Sequence, residues 1–240
     1  MRHKLFGERA ELYDLIYDGL DYEGNAARLR ELFEAEGIDD GAMLLEAACG
    51  TGAYLKPLGR HYDVAGYDIS EQMVQLARQK LEGVELFVAD MEEYVADEPV
   101  DVLICLFSSI GYVHGLRALQ NVCENFYRSL KPGGVVVIEP WVTPGQYRVG
   151  QPSMQTYEDD DIKVCRQMVA KREGQRAVLD FHWLVARRGR EVEYFSEVHE
   201  LYLFTRDDYV EALEGAGFEV RIEEGGLVGR GMFVGKSYCR

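Results

Sequence analysis

The chain has 240 residues, with 26 Lys+Arg against 42 Asp+Glu and a formal net charge of −16. At about 100–200 residues per domain this is one domain with a large insertion, or one domain and a small companion. A hydrophobic fraction of 47% with 11% aromatics excludes a disordered acidic chain, and the sign of the charge argues against nucleic acid, whose binding rests on cationic contacts to phosphate. Residues 8–36 carry a helical pattern, with Leu12, Leu15 and Ile16, then Leu29, Leu32 and Phe33. Met43–Ala48 reads as a short buried strand and Val64–Asp68 as a second. Ser70 then caps a helix with Met73, Leu76, Ala77 and Leu81 on one face. Further strands are expected at 84–88, 100–107 and 135–139, with a helix over 116–129 and a Leu-Lys-Pro-Gly-Gly turn at 130–134. Strands apolar on both faces that alternate with helices predict a doubly wound α/β domain around a parallel sheet.

Past Pro140 the pattern changes. Prolines 140, 144 and 152 with Gly145 and Gly150 mark an irregular connection, followed by alternating segments at 162–172, 176–188 and 191–204. Leu179, Phe181, Trp183 and Val185 share one face of the middle segment, which predicts an antiparallel β insertion with one packed side. A helix over 206–214, closed by Gly217, and a strand pair at 218–222 and 232–236 return to the α/β domain. The expected division is 1–139 with 205–240 for the α/β domain and 140–204 for an insertion covering the acceptor side.

No apolar run approaches the ~18 residues of a membrane span, and the N-terminus reaches charge too early for a signal-peptide core. A cytoplasmic protein is expected. Cys49, Cys105, Cys123, Cys165 and Cys239 are scattered without a CxxC, and the histidines do not cluster. Neither a disulfide framework nor a metal site is expected.

The chemistry-bearing signal is Glu46-Ala47-Ala48-Cys49-Gly50-Thr51-Gly52, directly after the first strand. Glycines there let the backbone approach a ligand, and the strand-to-helix turn offers free amides. Asp68, at the end of the second strand, is placed to accept both ribose hydroxyls of an adenine nucleoside. Asp90 after the third strand suits the adenine amino group, with Ile69 and Met91 as apolar walls. Leu55 stands where a dinucleotide fingerprint would have its third glycine, so the pyrophosphate cradle is missing.

This acid-GxG-acid-acid series resembles the class I S-adenosylmethionine-dependent methyltransferases, which implies a Rossmann-like seven-stranded sheet with the last strand antiparallel. Within that class the chain resembles the TDP-amino-sugar N,N-dimethyltransferases of the desosamine and mycaminose type. The matching segments are Leu-Tyr-Asp-Leu-Ile-Tyr (12–17), Ala-Cys-Gly-Thr-Gly (48–52), Phe-Ser-Ser-Ile-Gly-Tyr (107–112), 132–141, Tyr-Phe-Ser-Glu-Val-His (194–199) and 229–235. One departure is Val142, where the sugar enzymes tend to carry a second aromatic after Trp141.

The resemblance implies S-adenosylmethionine as cofactor and an N-terminal segment, with Tyr17 and Tyr22, folded over it. Met73 and Leu106 complete the expected cofactor set with Glu46, Ala48, Gly50, Gly52, Asp68, Ile69, Asp90 and Met91. Tyr112, Trp141, Arg148 and Arg230 are the candidates for the acceptor, the arginines because a guanidinium fork matches phosphate oxygens. Methyl transfer from a sulfonium needs chiefly a neutral nucleophile held in line and water excluded. Tyr17, Glu139 or His199 then orients the amine or takes its proton. The expected activity is N-methylation of a small molecule, on resemblance a nucleotide-linked amino sugar. O- or N-methylation of another small-molecule class and cofactor binding without turnover are the rivals, and a homodimer is compatible with all three.

Overall fold

The structure is a computed structural model and describes residues 5–7 and 9–238. Cys239, Glu8 at the start of the helical pattern, and the first four residues of the N-terminal reading lie outside the described residues. The single helical pattern resolves into α1 (Glu11–Ile16) and α2 (Tyr22–Ala35). The break has a local cause: Asp21 caps α2, its carboxylate accepting from the Gly24 N–H at 2.8 Å, and a capping residue leaves helical backbone.

In chain order the α/β part then runs β1 (Met43–Ala47), α3 (Leu55–Leu58), β2 (Asp63–Asp68), α4 (Glu71–Lys80), β3 (Glu85–Val88), β4 (Val100–Cys105), α5 (Leu116–Arg128) and β5 (Leu130–Ile138). The insertion contributes β6 (Pro152–Glu158), β7 (Ile162–Glu173), β8 (Arg176–Arg187) and β9 (Glu193–Tyr202). It is followed by α6 (Arg206–Ala216), β10 (Phe218–Glu223) and β11 (Met232–Ser237). The main sheet has seven strands in the order β10-β11-β5-β4-β1-β2-β3, and β11 runs antiparallel to both its neighbours. Strand order reverses between β1 and β4, which opens a crevice at their carboxyl ends, where open α/β sheets bind ligands. Ser70 caps α4 by accepting from the Met73 N–H, and Gly217 closes α6 at φ 113°, in the left-handed region.

Two elements differ from the sequence expectation. The Leu-Lys-Pro-Gly-Gly segment is a bulge within β5 rather than a turn before it: Val100 faces Leu130 while Val102 faces Val135, so the intervening residues leave the ladder. The connection after Pro140 contains a fourth insertion strand, β6, paired antiparallel to β7. Pro152 hides it in the sequence, yet a proline is tolerated as the first residue of an edge strand.

Apolar side chains fill both faces of the main sheet. A third cluster lies between α1 and the insertion, where Leu12 and Ile16 meet Leu179, Phe181, Trp183 and Val185. Packing of α1 against that inner face brings the N-terminal segment to the carboxyl ends of the main strands.

Candidate active site

The loop after β1 turns on positive φ at Ala48 (55°), Gly50 (54°) and Gly52 (78°). The Asp68 carboxylate holds it open, accepting from the Gly50 N–H at 2.9 Å and the Ser70 N–H at 2.8 Å. Burial raises the Asp68 pKa, and those two amides oppose the rise. Each oxygen keeps a lone pair, so ribose hydroxyls still have acceptors. Glu46 is 3% exposed and its Oε2 has no hydrogen-bond partner. Its pKa is pushed well up by burial and by Asp68. A buried acceptor of this kind is a ligand-binding feature, since leaving it unpaired is costly. Ile69 is 68% exposed beside Asp68, an apolar surface for a purine to cover, while Met73 and Leu106 are buried below. Asp90 accepts from the Glu92 N–H at 2.9 Å, and Met91 packs, partly buried, into the core of the sheet. These groups fit the adenosine portion of S-adenosylmethionine.

After β4 the chain takes two consecutive left-handed residues, Phe107 (φ 52°) and Ser108 (φ 65°), a rare and strained arrangement for non-glycine residues. Glu139, wholly buried just past β5, holds this turn by accepting from the Phe107 N–H at 2.8 Å. Burial raises its pKa, opposed by the Phe107 amide, Arg230 and the Val228 amide. One carboxylate oxygen is thereby committed to the backbone. Ser108 donates to the Pro140 carbonyl at 2.8 Å and accepts from Arg230. The Arg230 guanidinium also lies 4.8 Å from the centroid of Trp141.

From the other side comes α1. Tyr17 packs edge-on against Phe107 with centroids 4.9 Å apart, and Tyr22 packs against Tyr54 at 5.1 Å. The Tyr17 hydroxyl accepts from Arg166 of β7 at 3.1 Å. Tyr112 reaches His199 of β9, Oη to Nδ1 at 2.6 Å, and His199 Nε2 lies 3.3 Å from Glu197. The same Glu197 carboxylate accepts from the Leu5 N–H at 2.9 Å, tying the N-terminal segment to the insertion.

Tyr17, Glu139 and Arg230 thus converge on the Phe107-Ser108 turn. His199 stands one step further out, in contact with Tyr112 and with the ring of Phe6. Arg148 stands apart, exposed in the connection before β6. Among the described residues no group of three or more His, Cys, Asp or Glu side chains is arranged to hold a metal ion. Arg166, Glu197 and the Phe107-Ser108 turn were not singled out from sequence. Alternation places Arg166 and Glu197 on the packed faces of β7 and β9, the available signal; the turn and Glu197 fall in segments that carry the resemblance, but nothing local marks the left-handed backbone of Phe107 and Ser108.

Residues 44–134 match the sequence model of a family described as a methyltransferase domain. The chain is 35% identical over 231 residues, 95% of its own length and 97% of the relative's, to dTDP-3-amino-3,4,6-trideoxy-alpha-D-glucopyranose N,N-dimethyltransferase of Streptomyces venezuelae. Its fold superposes on the crystal structure of Streptomyces venezuelae DesVI with a TM-score of 0.90 at 34% identity, covering 95% of this chain and 98% of that one. Against CalS10, an amino pentose methyltransferase from Micromonospora echinaspora solved with its S-adenosylmethionine, the TM-score is 0.86 at 31% identity, covering 94% and 96%. Related to these enzymes along nearly its whole length, in sequence and in fold, the chain is an S-adenosylmethionine-dependent methyltransferase and belongs to the family of sugar N,N-dimethyltransferases.

Proposed function

We propose that this enzyme methylates the amino group of a nucleotide-linked amino sugar. The observation that carries the reading is the convergence of Tyr17, through Phe107, and of Arg230, through Ser108 and Trp141, on the turn after β4, with α1 tied to the β1 cofactor loop where the Thr51 hydroxyl donates to Asp14. Among the described residues, those within 1–139 and 205–240 form the cofactor domain, and 140–204 roof the acceptor. A protein of net charge −16 needs local cations to hold a diphosphate, and Arg230 supplies one beside Glu139. The same net charge disfavours nucleic acid as partner. Among the described residues no helix is long and apolar enough to cross a membrane, and the free cysteines at 49, 105, 123 and 165 suit the reducing cytoplasm.

When bound, S-adenosylmethionine supplies a methyl group already activated on sulfur. The chain's work is to present a neutral amine in line and keep water out. Tyr17 stands by the turn after β4, and Tyr112 with His199 gives the amine proton a route, Oη to Nδ1, away from the reacting centre. Glu139 holds the turn with one carboxylate oxygen, and its buried Oε1, without a hydrogen-bond partner in the protein, is left to orient the amine or take its proton.

We also infer a homodimer through the outer face of the β6–β9 sheet. That face exposes Met154, Val169, Leu184, Tyr194 and Val198. Four strands of this length offer about 600 Å² of sheet, close to the roughly 800 Å² per partner of a stable interface.

The test is a mass-spectrometric methylation assay with a dTDP-amino sugar and with the matching unphosphorylated amino sugar. Turnover of the first alone is expected, and Arg230→Ala should weaken acceptor binding by about 1.5–3 kcal/mol while cofactor affinity holds. Turnover of the unphosphorylated amine alone would reject the nucleotide-linked substrate.

A further inference from the structure

Arg166 is the one lysine or arginine that is buried among the described residues, at 6% exposure, and no carboxylate there lies within ion-pair distance of it. Its guanidinium sits 4.4 Å from the Phe181 centroid, 5.2 Å from Tyr17 and 5.3 Å from Trp183. Its hydrogen bonds go to the Tyr17 hydroxyl and the Gln155 side-chain carbonyl, both neutral. Glu197, on the same inner face of the sheet, is engaged by His199 and the Leu5 amide. Ring faces and neutral acceptors compensate a desolvated cation only in part, and a buried charge is ordinarily paired. The missing counter-charge must then come from a ligand.

Position narrows which ligand. Arg166 donates to Tyr17, Tyr17 packs on Phe107, and the next residue, Ser108, receives Arg230. Both guanidiniums thus connect to one turn, Arg166 of the insertion through Tyr17, which packs on Phe107, and Arg230 of the β10–β11 loop through the Ser108 hydroxyl. The loop that would hold the cofactor lies across the crevice at β1 and β2, held by Asp68. We propose that Arg166 is the second arm of a diphosphate clamp, gripping the acceptor's diphosphate opposite Arg230, in the role that the sequence pattern assigned to Arg148. This rests on the acceptor's being nucleotide-linked.

The same reasoning makes Arg166 a burden to the ligand-free protein, because its charge is compensated only on binding. A residue kept for structure alone has the opposite signature. The experiment is calorimetric titration of full-length wild type, Arg166→Met and Arg166→Lys with thymidine 5′-diphosphate, thymidine and S-adenosylmethionine, alongside thermal unfolding without ligand. In Arg166→Met, thymidine diphosphate affinity should fall by about 10- to 100-fold, the range for a lost charged hydrogen-bonding group. Thymidine and cofactor affinities should hold, and the unfolding temperature should stay equal or rise. Arg166→Lys, which keeps the charge and loses the fork, should fall in between. Wild-type thymidine diphosphate affinity in Arg166→Met would overturn the clamp while leaving the nucleotide-linked acceptor standing. Failure of the wild type itself to bind thymidine diphosphate would overturn that reading and the clamp with it. Lost cofactor affinity in Arg166→Met would assign the guanidinium to the cofactor, and a lowered unfolding temperature would make it structural; either result refutes the proposal.

Discussion

Replacing Asp68 with asparagine tests the cofactor site at its most constrained point. The carboxylate accepts from the Gly50 and Ser70 amides at 2.9 and 2.8 Å, one on each oxygen. Asparagine keeps a single oxygen, so its NH₂ must face one of those N–H groups, donor against donor. That leaves a part-buried amide unsatisfied, at a cost of about 1–3 kcal/mol in stability. The cofactor loses more, because a hydroxyl that donated to a carboxylate forfeits about 1.5–3 kcal/mol per bond, and each ~1.4 kcal/mol is tenfold in affinity. S-adenosylmethionine binding by calorimetry should therefore weaken by roughly 10- to 150-fold for one lost bond. The pH dependence gives a second handle. Burial raises the Asp68 pKa, and the ionised form is the one that accepts from ribose. Wild-type affinity should accordingly fail, as pH drops, sooner than an exposed aspartate would allow, and Asp68→Asn should be flat over that window. A folded Asp68→Asn enzyme with wild-type cofactor affinity would refute the ribose assignment.

Gly52→Ala should lose about 1–2 kcal/mol, the cost of a side chain in the left-handed region, because Gly52 has φ 78° and an added Cβ would meet Leu81 Cδ1 at 2.5 Å; urea unfolding measures it, and cofactor affinity should fall in parallel. Glu46→Gln probes a buried carboxyl whose folded pKa is raised. Between the unfolded and folded pKa the native state binds the extra proton, so wild-type stability declines as pH rises through that window. Glutamine removes this component of the slope, and unfolding curves from acid to neutral pH should diverge with the variant the more stable at neutrality. Leu184→Glu places a charge at the centre of the exposed apolar face; sedimentation should show a dimer in the wild type and a monomer in the variant, with cofactor affinity unchanged.

The alternating strands and helices, the Glu46–Gly52 loop and Asp68 were legible in the sequence because each is a local pattern. Strand period, turn glycines and the acid at a strand end are determined by neighbours along the chain. The insertion's packed face was legible for the same reason: alternation puts Leu179, Phe181, Trp183 and Val185 together before any partner is known. The bulge in β5 and the strand β6 were not, since a register slip and the pairing of a proline-led edge strand depend on the strand alongside. The proposed acceptor site was legible only in part. Arg230 and Tyr112 stand in recognisable motifs, but Arg166 lies on a strand 149 residues from the Tyr17 hydroxyl it holds. Only the packing of α1 against the insertion's inner face decides that a guanidinium is buried there, with no carboxylate of the described residues in ion-pair contact. Likewise Arg148 and Arg166 are equal as arginines in the sequence, and burial separates them: one is solvated, while the other is packed among aromatic rings away from water.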